Sequence, residues 1–380
     1  LGLTMLPSLA WSLYFGENDV QAFIYSIIIT VGAGVMLKIN TSSEAELGMR
    51  EGLIVVTMGW VLAGIFGALP FIFSGAVDSF VSGFFEAVSG FTTTGATNIP
   101  DVEILPHGIL FWRSFTHWLG GMGIIVLFLA ILPQMGAGGF HLFKAEVPGP
   151  SVEKVSSRTA YNAKVLYLIY AGITIIQTVL LMLSGFSFFD ALIHTFGSVA
   201  TGGYSNKNLS ISAFNNPAAE IIILVFMFIS GGNFSLYYYL LKGQWEKLFK
   251  DEEFRFYCGV TVVSTLLIAW NIRGYISSTV DLLRTSAFQV ISIMTTTGYV
   301  TANFDAWPDF SRLLLLVLMF FGGCAGSTAG AIKHIRLLVL FKHFYRSLVN
   351  ALHPKAVMRI KVNGKVVSEQ TLRGIMSFTF

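Results

Sequence analysis

The sequence predicts an all-α integral membrane protein built from span–pore-helix–span modules that repeat about every hundred residues. Three observations carry that reading. Hydrophobic residues make up 54% of the 380 and charged residues only 12%, about half the usual quarter; a soluble protein of this size needs more charge to cover its surface. Apolar runs of span length recur along the whole chain. A Thr/Gly tetrad follows a shorter apolar run three times: Thr93-Thr94-Gly95-Ala96, Ala200-Thr201-Gly202-Gly203 and Thr296-Thr297-Gly298-Tyr299. This composition excludes a soluble globular enzyme, a disordered chain and a nucleic-acid binder.

A bilayer core requires about 20 consecutive apolar residues per helix. Residues 1–15 read as the tail of an earlier span, and full spans are expected at 20–37, 50–73, 108–133, 162–184, 217–241, 254–272 and 311–342. The runs at 79–91, 187–199 and 282–295 are too short to cross and predict re-entrant half-helices. Thr371–Phe380 opens another apolar segment, so the chain is expected to continue at both ends. The resulting organisation is 1–40 as N-terminal helices, 41–140, 141–250 and 251–350 as pore repeats 1 to 3, and 351–380 as a cytoplasmic linker leading into a fourth. Gly95, Gly202 and Gly298 lie 107 and 96 residues apart, too long a period for a solenoid but suited to repeated transport modules.

Basic residues set the orientation. Alternating the spans places nineteen of the 24 lysines and arginines on one side and Arg113, Lys207, Arg273, Arg284 and Arg312 on the other. The rich side is cytoplasmic, so the half-helices dip in from outside. The two cysteines, Cys258 and Cys324, lie in apolar stretches and form neither a disulfide framework nor a thiolate metal cluster.

The tetrads suggest cation chemistry. Irregular backbone at membrane depth is tolerated only where it is buried or lines a watery cavity, and its carbonyls suit a dehydrated cation. Glycine permits the positive φ that turns carbonyls inward, and threonine adds a hydroxyl as anchor or ligand. The half-helices direct a C-terminal partial charge of about −0.5 towards the same place, while Asp78, Asp190 and Asp281 sit at or near their starts, where a carboxylate is favoured. One such tetrad is ordinarily a turn or a packing surface; the repetition is the signal.

A second glycine cluster, Gly322-Gly323-Cys324-Ala325-Gly326-Ser327-Thr328-Ala329-Gly330, interrupts the last span. It reads either as close helix packing or as an unwound, mobile gate. It lacks the Gly-Lys-Ser/Thr ending of a phosphate loop. Ser230-Gly231-Gly232-Asn233 and Gly120-Gly121-Met122-Gly123 are milder breaks in the corresponding spans. Glu86, His117 and His194 are intramembrane ionisable groups and hence candidates; the histidines are expected in hydrogen-bonded packing roles. No spacing suggests a nucleophile–base pair or a His-Glu-x-x-His site, which argues against an intramembrane protease. The near absence of charge within the spans argues against an ion-coupled transporter with broken helices.

Ser-Gly-Phe-Thr-Thr-Thr-Gly-Ala-Thr (89–97), His-Trp-Leu-Gly-Gly-Met-Gly (117–123), Val-Ala-Thr-Gly-Gly-Tyr-Ser (199–205) and Met-Thr-Thr-Thr-Gly-Tyr (294–299) together resemble the Trk/Ktr/HKT superfamily of potassium transporters, and most of all the bacterial Trk-type membrane subunit. The resemblance covers essentially the whole chain. It implies four repeats around a pseudo-fourfold pore, three of them visible in this sequence, with K⁺ as the transported ion and no organic cofactor. The filter is then Thr93, Thr94 and Gly95; Ala200, Thr201 and Gly202; and Thr296, Thr297 and Gly298, with glycine at each of the three positions going with potassium selectivity. The gate maps onto Gly322, Gly323, Gly326, Ser327, Thr328 and Gly330. The resemblance further implies two extra N-terminal helices, a homodimer in the bacterial inner membrane, and a cytosolic nucleotide-binding regulatory ring protein as partner. The basic segment 342–365 reads either as the docking surface for that partner or as ordinary positive-inside charge.

Overall fold

The computed structural model describes residues 1–40, 49–123, 159–353 and 358–379. The expected span ends at 124–133 and the basic positions Lys144, Lys154, Arg158 and Lys355 lie outside them. The chain forms two compact units: the described residues of 1–226 together with Thr297–Thr301, and those of 227–296 and 302–379. The units therefore cut across the repeats.

In the first unit, a short helix α1 (Leu6–Phe15) precedes α2 (Val20–Asn40) and α3 (Met49–Phe73). Then come the half-helix α4 (Phe80–Phe91), α5 (His107–Gly121), α6 (Thr159–Leu183) and a second half-helix, α7 (Phe188–Val199). α8 (Pro217–Ser230) leads out of this unit. The apolar core runs through α4, α5 and α7 and includes Phe91, Ile109, Phe111, Trp112, Ile193 and Phe196. Small residues on α3 allow α4 to approach closely: a methyl on Gly64 or Gly67 would meet the rings of Phe84 or Phe91 at 2.7 and 2.5 Å.

In the second unit, α9 (Phe234–Leu241) and α10 (Trp245–Lys250) precede α11 (Glu252–Ile272) and the third half-helix, α12 (Thr279–Met294). α13 (Asp309–Leu318), the glycine loop, α14 (His334–Leu352), the hairpin β1 (Lys361–Val362) and β2 (Lys365–Val366), and α15 (Glu369–Thr379) complete it.

Among the described residues, four helices are long and apolar enough to cross a bilayer, at Val20–Asn40, Ile54–Phe73, Lys164–Leu183 and Glu252–Ile272; α8 and α9 meet the same test only as a pair, bent by 98°. The run 311–342 is two helices joined by the non-helical backbone of the glycine cluster that was expected to interrupt it, and the described part of 108–133 is the helix α5. Residues 1–15 form a 3₁₀ turn and the ten-residue α1.

The three half-helices start alike. Ser79, Ser187 and Ser278 cap α4, α7 and α12, each accepting from the backbone N–H three residues on, which satisfies an otherwise orphan donor. Asp190 and Asp281 stand at that third position, where the helix dipole favours a carboxylate; Asp78 precedes its cap.

Candidate selectivity filter and glycine loop

Each half-helix ends at a cap residue, Thr92, Ala200 or Thr295, and the chain beyond it takes the same course. The first residue after the cap has positive φ (Thr93 53°, Thr201 55°, Thr296 58°), as does the third (Gly95 73°, Gly203 79°, Gly298 83°). Left-handed backbone is costly for a threonine and recurs at one register in all three repeats. The backbone therefore corrects the second tetrad by one residue. Ala200 is the helix cap, equivalent to Thr92 and Thr295, and the segment of repeat 2 equivalent to Thr93–Gly95 and Thr296–Gly298 is Thr201-Gly202-Gly203. Two adjacent glycines blur the register when Thr-Gly is taken as the marker, and the Gly-Tyr pairs at 203–204 and 298–299 agree with the backbone.

Three segments come together in the first unit. A methyl on Gly95 would lie 1.9 Å from the carbonyl oxygen of Gly202, and one on Gly203 would lie 1.8 Å from that of Thr297. Gly95 and Gly203 thus each lie against the carbonyl one step earlier in the next repeat. Around Gly298 no atom of the described residues comes within 4 Å of that position. The backbone amides of Thr94 and Gly202 donate to the carbonyls of Ser89 and Gly197, both at 2.9 Å, tying the strands to their own half-helices. The hydroxyls of Thr201 and Thr296 turn back on the preceding carbonyls at 2.6 Å and serve as anchors.

The 117–123 motif supports these strands from behind. A methyl on Gly120 would meet the Phe91 carbonyl at 1.9 Å, and one on Gly121 the Ala200 Cα at 2.9 Å. His117 is fully buried, stacks on Tyr204 at 4.0 Å, and bounds Gly202, whose added methyl would meet the ring at 2.5 Å. Its ring packs on both, and its ring nitrogens find no hydrogen-bond partner among the described residues, where the sequence led us to expect one.

The sequence reading placed Arg113 among the external charges, but the structure buries it. Its Nε donates to Glu86 Oε1 at 2.5 Å, with the two side chains 3% and 0% exposed. Breaking such a pair leaves an uncompensated buried charge and costs about 3–5 kcal/mol. Glu86 also accepts from the Thr97 hydroxyl at 3.0 Å, and Arg113 donates through Nη1 to the Ser205 carbonyl at 3.2 Å with its guanidinium 3.9 Å from the centre of the Tyr204 ring. His194, equivalent to Glu86, engages the Asp190 carbonyl at 2.7 Å and the Ser205 hydroxyl at 2.9 Å. Sequence spacing concealed this His–Ser pair. It does not make a nucleophile: the other ring nitrogen meets a carbonyl of its own helix rather than a carboxylate, and Ser205 Oγ already accepts from the Lys207 amide at 3.1 Å. Outside the helices, Asp101 and Glu103 hold Asn208 and Lys207, and those hydrogen bonds lower both carboxyl pKa values below the ordinary range.

In the second unit, the glycine loop is folded on itself and tied on several sides. The Gly322 amide donates to the Ile332 carbonyl at 2.9 Å, and methyls on Gly322 or Gly323 would lie 1.9 Å from Gly330 O or 2.5 Å from Gly231 O. The Cys324 amide donates to Gly231 O at 2.8 Å, the Phe234 amide to Gly326 O at 3.0 Å, and the Thr328 hydroxyl to Ser230 O at 3.3 Å. The two sequence breaks in this unit therefore pack on each other. Gly326 has φ of 75°, and Ser327 Oγ donates to Cys324 O at 2.6 Å. Glu253, buried at the start of α11, accepts from the amides of Ala325 at 2.6 Å and Ile335 at 3.0 Å; Lys333 Nζ donates to Ala329 O. The Gly330 amide donates to the Thr296 hydroxyl at 2.7 Å. Sequence spacing gave no sign of Glu253, 72 residues from Ala325. The segment is unwound, as expected, and anchored throughout. In the basic segment, Lys342 pairs with Glu252 and Arg346 with Glu369, while Arg359 and Lys361 are exposed.

Comparison with known proteins agrees with this architecture. Residues 17–380 match the family model "TrkH: Cation transport protein". The Trk system potassium uptake protein TrkH of Escherichia coli K12 is 41% identical over 384 residues, covering 99% of this chain and 79% of that protein. An uncharacterized cation transporter of Methanocaldococcus jannaschii is 34% identical over 93% of this chain and 72% of its own. The crystal structure of the potassium transporter TrkH from Vibrio parahaemolyticus superposes with a TM-score of 0.88 at 36% identity, over all of this chain and 79% of that one. Glycine-on-carbonyl strands behind capped half-helices and similarity along nearly the whole sequence lead to one assignment: this chain belongs to the TrkH family of multi-pass membrane cation transport proteins.

Proposed function

We propose that the protein takes up potassium ions across the bacterial cytoplasmic membrane through a filter of backbone carbonyls. The observation that carries this reading is the stepwise contact of Gly95 with Gly202 O and of Gly203 with Thr297 O. It brings segments from three repeats to van der Waals distance with no side chain between them. Backbone carbonyls can then replace an ion's hydration shell, and the alternating sign of φ along each segment suits carbonyls that face a common axis. The contributors are Thr93, Thr94 and Gly95; Thr201, Gly202 and Gly203; and Thr296, Thr297 and Gly298. The open space at Gly298 suits a fourth segment in the same relation. Relatives named as potassium uptake proteins support the choice of ion.

The loop Gly322–Gly330 is the gate in this reading, held by Glu253 and by the bond to Thr296. A homodimer resting on a cytosolic nucleotide-binding ring is the assembly we infer, with the exposed Arg359 and Lys361 as part of the docking surface. The test is uptake into proteoliposomes of potassium, rubidium, caesium and sodium, for the parent and Gly95→Ser with the ring partner present. Potassium and rubidium flux in the parent, with sodium admitted by the variant, is the expected result. Absence of any alkali-cation flux would overturn the reading.

A further inference from the structure

Tyr204 and Tyr299 hold the same place in their repeats, the fourth residue beyond the cap of the half-helix, and both are buried. Each hydroxyl reaches back into the preceding repeat. Tyr204 Oη donates toward Glu86 O at 3.2 Å and Ala96 O at 3.1 Å; Tyr299 Oη donates toward His194 O at 3.2 Å and Tyr204 O at 3.0 Å. The acceptors are equivalent as well. Glu86 and His194 each lie six residues before their caps, and Ala96 and Tyr204 each lie four after. The same pair of bonds is thus made twice, advanced by one repeat. The chain makes room for the second: a methyl on Gly197 would lie 2.1 Å from Tyr299 Oη.

We infer that Tyr204 and Tyr299 are positioning residues that tie each filter segment to the one before it and so set the potassium-over-sodium preference. This inference rests on the filter reading above. Ala96 and Tyr204 follow the filter glycines directly, so their carbonyls fix where the carbonyls of Gly95 and Gly203 point. A sodium ion prefers a smaller cage than potassium. The ties resist that contraction, because narrowing one side of the filter requires moving two half-helices along with the strand. Removing an O–H releases a carbonyl to follow the smaller ion. In Tyr204→Phe the ring stays in place to pack against His117 and carry the Arg113 guanidinium.

The experiment compares sodium and potassium flux in proteoliposomes for the intact parent, Tyr204→Phe, Tyr299→Phe, the double variant and Ser26→Ala. Ser26 carries a buried hydroxyl on α2 that donates to Ala22 O of its own helix at 2.7 Å and touches none of the filter segments. Each filter variant is expected to keep potassium flux within about twofold and to raise the sodium-to-potassium ratio about fivefold, the worth of one neutral hydrogen bond. The double variant raises it further and Ser26→Ala leaves it at the parental value. Unchanged ratios in both filter variants would overturn the inference, as would a lowered unfolding temperature with no change in ratio, which is the signature of a merely structural role. An equal rise in Ser26→Ala would overturn it too. A parent with no potassium preference would instead remove the filter reading beneath it.

Discussion

The backbone at Gly203 must do two things that no other residue manages: hold φ at 79° and bring its Cα face against the Thr297 carbonyl. Alanine at 203 costs about 1–2 kcal/mol for the left-handed conformation, and its methyl, 1.8 Å from Thr297 O, forces the third strand to move. Gly203→Ala is therefore expected to abolish potassium-selective uptake. Gly172→Ala, in a helix with open space around it, should preserve uptake and raise stability by up to about 1 kcal/mol through lowered chain entropy. Rubidium uptake by the two variants checks this, and retained selective uptake in Gly203→Ala would refute the Thr201-Gly202-Gly203 register. Thr-Gly alone leaves that register open, because repeat 2 offers two successive glycines; aligning Gly203-Tyr204 with Gly298-Tyr299 resolves it in the sequence, and the fall of positive φ agrees that Gly203 is the one lying on the neighbouring carbonyl. Glu86 was legible as an anomaly because a carboxylate in an apolar half-helix demands a partner; Arg113 was hidden because a basic residue near a span end reads as an ordinary surface charge.

At the level of elements, the half-helices were the most readable feature, since their lengths and apolar runs show in the sequence. The Ser-x-x-Asp starts of α7 and α12 stand in the sequence as well, and the structure shows the serines as their caps. The broken spans were legible as glycine clusters but not as contacts: nothing in the spacing shows that Ser230–Asn233 and Gly322–Gly330 pack on one another, or that Glu253 reaches the loop. That carboxylate is the element's main hold, for it accepts two backbone amides at once. Removing it strands two N–H donors in a buried place, at about 1–3 kcal/mol each. Glu253→Ala is accordingly expected to loosen the loop and raise flux without the ring partner by about tenfold or more, while Glu253→Gln, which keeps an acceptor oxygen, falls between. Measuring basal rubidium flux in ring-free proteoliposomes decides the matter. If Glu253→Ala lowers the unfolding temperature yet leaves basal flux at the parental level, the loop is not the barrier.

For the whole molecule, repetition was visible in the sequence as three tetrads about a hundred residues apart, and it carried the fold class. What it could not show is how the chain partitions. Thr297–Thr301 clusters with the first unit although the half-helix that delivers it, Thr279–Met294, belongs to the second. In the filter reading proposed above, an ion held by carbonyls of Gly95, Gly203 and Thr297 bridges segments up to about 200 residues apart in sequence, all within the first unit. A ligand that binds only the folded form stabilises it by about 2.7 kcal/mol at a hundredfold excess over Kd, which for chains of this size shifts the unfolding temperature by roughly 3–5 °C. Potassium and rubidium are therefore expected to raise the unfolding temperature of the purified protein by that amount over a choline background of equal ionic strength, and sodium by much less. General salt screening acts on exposed charges and does not distinguish these ions at equal ionic strength, so the difference between potassium and sodium isolates the filter. Equal shifts for potassium, sodium and choline would mean that no dehydrated ion is held by these strands. A shift confined to potassium and rubidium, and lost in Gly203→Ala, would place the stabilising ion at the carbonyls where the repeats meet.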